Sequence, residues 1–68
     1  MENIGWVSKE EYAICVLDRM SISWPNFAFW LEEHKSGGWF VCVESTRLSK
    51  RLKWALCNSF EASVNCLD

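Results

Sequence analysis

The sequence predicts an α+β fold: one small domain over residues 1–68, with about three helices and a short two- or three-stranded sheet. Three observations predict it. Ser8-Lys9-Glu10-Glu11 has the form of a capping box and opens an apolar stripe of helical period. Gly37-Gly38 precedes Trp39-Phe40-Val41-Cys42-Val43-Glu44, a β-branched and aromatic run too short for a helix, which makes 39–44 the best strand. A second helical stripe then follows Ser45 and Thr46.

In the first helix Ala13, Val16, Leu17 and Met20 fall at i, i+3, i+4 and i+7 and form the inward face. Ser21 to Asn26 breaks the pattern, because Pro25 disfavours helical geometry at Trp24 and suits the first turn of a new helix. A second helix is therefore expected over residues 25–35, with His34 and Lys35 at its C-terminal dipole and Gly37-Gly38 supplying left-handed termination. On that helix Phe27, Phe29, Trp30 and Leu31 are spread too widely to share one core, so one side must look outward.

The third helix carries Leu48, Leu52, Ala55, Leu56 and Phe60 inward. The tail, residues 62–67, alternates weakly and is read either as a strand on 39–44 or as a fraying end. Pairing of the tail would make the third helix a βαβ crossover, and Ile4 to Val7 offers a further edge strand.

At 68 residues a chain buries only roughly 60% of its unfolded surface, so core material is scarce. Against that stand five Trp, four Phe and one Tyr, more ring area than so small a core encloses easily. Half the residues are hydrophobic and Gly and Pro total four, which excludes a disordered or collagen-like chain. No apolar run approaches the ~18–20 residues of a membrane-spanning helix. Met1-Glu2-Asn3-Ile4-Gly5 is not the basic start of a signal peptide, so the expected compartment is the cytoplasm.

The four cysteines, Cys15, Cys42, Cys57 and Cys66, lack the paired spacing of a zinc site. In a reducing compartment they are expected to be free thiols, with Cys15, Cys42 and Cys57 inside apolar segments as core residues. His34 is the single histidine, Glu32 and Glu33 are adjacent and diverge on a helix, and the Gly pair lacks the rest of a phosphate loop. The sequence thus presents no enzyme, no metal site and no cofactor.

Charge is uneven. Residues 1–34 carry −4 and residues 35–68 carry +2, the excess of bases lying on the third helix. Arg47, Lys50, Arg51 and Trp54 fall at i, i+3, i+4 and i+7, a basic ridge ending in an indole. The ridge reads as a solvated face, as a dock for an acidic protein or, less well on a chain of net charge −2, as a grip on nucleic acid.

Trp and Arg are the residues enriched at interface hot spots. The expected function is therefore a small non-enzymatic protein-binding module, an inhibitor or adaptor of the kind viruses and mobile elements encode, acting by steric occlusion or as a homodimer. Its candidate partner-binding residues are Trp24, Phe29, Trp30, Arg47, Lys50, Arg51 and Trp54. The alternative is a nucleic-acid-binding accessory protein using the basic helix over residues 46–58. No membrane partner is expected.

Overall fold

In a computed structural model, which describes residues 2–44 and 48–67, the chain runs β1 (Glu2–Val7), α1 (Glu10–Ser23), β2 (Phe29–Glu33), β3 (Trp39–Val43) and α2 (Lys50–Asn65). The class is α+β, with two helices rather than three. β3 lies in the centre of a three-stranded antiparallel sheet of order β1-β3-β2. β1 and β2 therefore run parallel with β3 inserted between them, a split βαβ unit whose crossover is α1 and not the C-terminal helix.

The expected helix over residues 25–35 is absent: its middle is β2. Phe27 N–H closes a turn on the Trp24 carbonyl at 3.1 Å, after which Phe29-Trp30-Leu31-Glu32-Glu33 extends and pairs with β3. Gly37 and Gly38 have φ of 101° and 85°, but they turn a hairpin rather than end a helix. Gly37 N–H donates to the His34 carbonyl at 3.0 Å and His34 N–H to the Gly38 carbonyl at 2.9 Å, which closes the β2–β3 loop.

α1 starts one residue later than the capping signal. Lys9 occupies the N-cap with no side-chain hydrogen bond, so Ser8 stands outside the helix and the expected box does not form. The inward stripe is as the periodicity predicts, with Ala13, Val16 and Met20 buried and Leu17 half-buried. Ser45, Thr46 and Arg47 lie outside the described residues. α2 is capped by Ser49, whose hydroxyl accepts from Leu52 N–H at 3.1 Å. The helix continues to Asn65, so the tail is not a strand, and Val64 and Leu67 pack against the core.

Both helices lie on the same face of the sheet. Glu2, Gly5 and Val7 of β1 stand opposite Val43, Val41 and Trp39 of β3, which in turn oppose Phe29, Leu31 and Glu33 of β2. Val41 and Val43 join Val16, Met20 and Leu56 in the buried core, and Phe29 and Leu31 pack against it. Gly5 is needed in this row because a Cβ there would run into the Phe60 ring of α2. The β1 ladder is irregular between Asn3 and Gly5, where the Asn3 side chain accepts the Gly5 N–H at 2.9 Å. Trp24 ties the helices together by donating its indole N–H to Ser59 Oγ at 3.0 Å.

Candidate protein-binding surface

Among the described residues, no layer covers the second face of the sheet. Alternation places two rows of side chains there: Trp6, Phe40 and Glu32 in one, Asn3, Cys42 and Trp30 in the next. Gly38 and His34 extend the surface toward the hairpin. An antiparallel sheet covered on one side ordinarily turns polar residues to water on the other. Here β2 and the central strand β3 present Trp30, Phe40 and Cys42 instead.

The rings tile this surface. Trp6 lies across Gly38, where a Cβ would collide with the indole, and its Nε1–H donates to the Gly37 carbonyl at 3.2 Å. The His34 ring meets Phe40 edge to face at 5.0 Å, while its Nδ1 accepts the Ser36 N–H at 3.1 Å. Trp6 remains 50% exposed, Trp30 and Phe40 are half-buried, and Cys42 beneath them is closed off. Burial, and then the charge of the Glu32 carboxylate, push the Cys42 thiol up, so it stays protonated and a poor nucleophile. Glu32 places a carboxylate among the rings.

The partner-binding residues expected from sequence divide among three places. Trp24 and Phe29 pack against the core, each in contact with Phe27, with ring centroids 6.0 and 6.4 Å apart respectively. Trp30 stands on the uncovered sheet face. Lys50, Arg51 and Trp54 lie exposed on α2, which covers the other face of the sheet, and Arg47 is outside the described residues. Strand geometry turns Phe29 inward and Trp30 outward with a period of two, while Trp24 packs at the end of α1.

Sequence reasoning missed Trp6, Phe40 and Glu32. Two aromatic runs separated by a short Gly-containing segment signal a hairpin, and that signal puts Phe40 and Glu32 on one face, whereas Trp6 joins them only through the pairing of β1 with β3.

All four cysteines are free, but Cys15 is exposed on α1 rather than in the core, and Cys66 is exposed too. The described residues contain no group of three or more His, Cys, Asp or Glu able to hold a metal ion. No helix among them is long and apolar enough to cross a membrane. Comparison with protein-family models, curated proteins and solved structures finds no match for this chain.

Proposed function

We propose that this chain is a non-enzymatic protein-binding module that docks its partner on the uncovered face of the sheet and acts by occluding the surface it covers. One observation carries the reading: the outward positions of β2 and β3 hold Trp30, Phe40 and Cys42, where a sheet facing water carries polar residues. The half-exposed Trp6 and the Glu32 carboxylate define the partner. It offers apolar side chains around a cationic group, an arrangement that lets Glu32 be covered without losing its solvation unpaired. A polyanion fits less well, because the charge among these rings is negative.

A photoreactive phenylalanine analogue in place of Trp30, introduced into the protein in its native cell, tests this. A discrete cross-linked protein adduct is expected, and it disappears when Phe40→Asp is added to the same chain. The same analogue at Arg19, exposed on α1 and away from the sheet face, gives no such adduct. A folded protein that yields no adduct from position 30, or equal adducts from both positions, sinks the reading.

A further inference from the structure

A second surface is independent of the sheet face and has its complement on the same chain. Trp54 is 70% exposed on α2, with Lys50 four residues before it and Arg51 three before it, both exposed. An indole in that position leaves a large apolar area in water between two cations. Lys53, next to it in sequence, is already engaged with Glu2 at 2.8 Å, so the charge left for a partner is on Lys50 and Arg51.

At the other end of the molecule an open depression of about 550 Å³ is lined by Ser8, Lys9, Glu10, Glu11, Ile14 and Trp39. Ile14, 45% exposed, and Trp39 give it apolar walls, and Glu10 and Glu11 give it an acidic rim. Glu33 adds a third carboxylate beside Trp39 across the β2–β3 ladder. Lys9, the cation at this rim, lies over the Tyr12 ring at 5.4 Å.

The two features are complementary in polarity and charge: an apolar ring flanked by cations, and an apolar hollow flanked by carboxylates. Their positions exclude contact within one molecule. The Lys53–Glu2 pair places the first turns of α2 at the start of β1, whereas the hollow lies where β1 ends, beside Val7 and its partner Trp39. We propose that Trp54, with Lys50 and Arg51, inserts into the Ile14–Trp39 depression of a second copy, joining copies head to tail. Knob and socket are different surfaces, so each bound copy leaves one of each free and the contact does not close at a dimer. A contact built on one ring and a few charges is small, and therefore weak and salt-dependent.

Sedimentation equilibrium of the full chain from about 10 μM to 1 mM tests it, a range suited to weak contacts. The weight-average mass is expected to start at the 7.9 kDa of the monomer, rise past twice that value with concentration, and fall back between about 0.05 and 0.5 M salt. Trp54→Ala and Ile14→Asp, each checked for unchanged circular dichroism, are expected to remain monomeric alone. Mixed in equal amounts they recover association, because one supplies the socket and the other the knob, and the mixture stops at the dimer.

Trp30→Thr is expected to associate like the parent, which separates this contact from the sheet-face reading. A monomer at 1 mM, a Trp54→Ala protein that still assembles, a mixture that does not, or assembly abolished by Trp30→Thr overturns the proposal. A parent that saturates at a closed dimer overturns it as well.

Discussion

The two faces of the sheet are built by the same three strands, and both are apolar, yet they have opposite fates. On one, Val41, Val43, Leu31 and Phe29 lie under α1 and α2. On the other, Phe40, Cys42, Trp30 and Trp6 meet no second layer. β3 reads Trp-Phe-Val-Cys-Val, apolar at every position, a pattern that usually means a strand buried on both sides. Two helices are enough to cover one side. The hydrophobicity of a strand states how much of it avoids water, while the layer above it determines where that need is met.

The largest expected difference between the faces is in stability. Leu56→Ala, on the covered side at 0% exposure, should cost ~2–5 kcal/mol in denaturant unfolding, enough to threaten a domain this small. Trp30→Thr should cost less than that, because no helix packs over the ring and Thr suits a strand. The same change should weaken partner binding by ~2 kcal/mol or more, the scale of an aromatic hot spot. Equal stability losses at both sites would erase the distinction between the faces.

The glycines sharpen it next. Gly5→Ala pushes a methyl into Phe60 between sheet and helix and should cost ~1–3 kcal/mol, with Phe60→Leu restoring part of the loss. Gly37→Ala meets no atom within 4 Å, so its cost is the backbone term for a positive φ, ~1–2 kcal/mol. A Phe60→Leu background that leaves the Gly5→Ala penalty untouched would show that the close approach is not what requires glycine there.

Thiol labelling provides a probe of coverage without mutation. Cys15 and Cys66 should react at once with a neutral alkylating reagent, Cys57 more slowly, and Cys42 only as the protein opens. Cys42 is the informative site, since rings rather than helices shield it. Fast labelling of Cys42 in the folded protein would mean that the tiles move apart readily.

The smallest expected effect is electrostatic. Lys53 holds the Glu2 carboxyl below its ordinary range and Glu2 holds the Lys53 ammonium above its own. The carboxylate's contribution is present above its unfolded pKa and is lost as pH falls through the lowered folded value. That of the ammonium is present below its unfolded pKa and is lost only as pH rises through the raised one. Between those limits the pair is intact, but both groups face water and salt screens them. Glu2→Gln should shift thermal unfolding slightly at neutral pH and not at all in strong acid, where both proteins carry a neutral side chain.

The α1 and α2 stripes and the central strand are legible in the sequence because each is a local periodicity, although the N-caps fall on Lys9 and Ser49 rather than on the serines and threonine the sequence offers first. Ala13, Val16, Met20 and Leu56 are buried where helical spacing puts them. Residues 25–35 are not legible in the same way. Pro25 starts a helix or closes a turn, and Gly37-Gly38 at positive φ ends a helix or turns a hairpin, so the local chemistry is the same for both outcomes. What separates them is β3, whose unpaired N–H and C=O groups are satisfied when β2 lies alongside.

The class of the fold, most of the helical core and the excess of aromatic rings over core volume follow from local patterns in the chain. Which rings are in excess follows only from how the strands pair and where the helices settle. Phe29 and Trp30 are neighbours of similar chemistry, and pairing with Val43 and Cys42 turns one under the helices and the other to the open face. The physical reason is that strand alternation is local whereas the side of the sheet on which helices settle is not. That choice depends on α1 crossing back over β3 and on α2 packing beside it, through contacts between residues far apart in the chain.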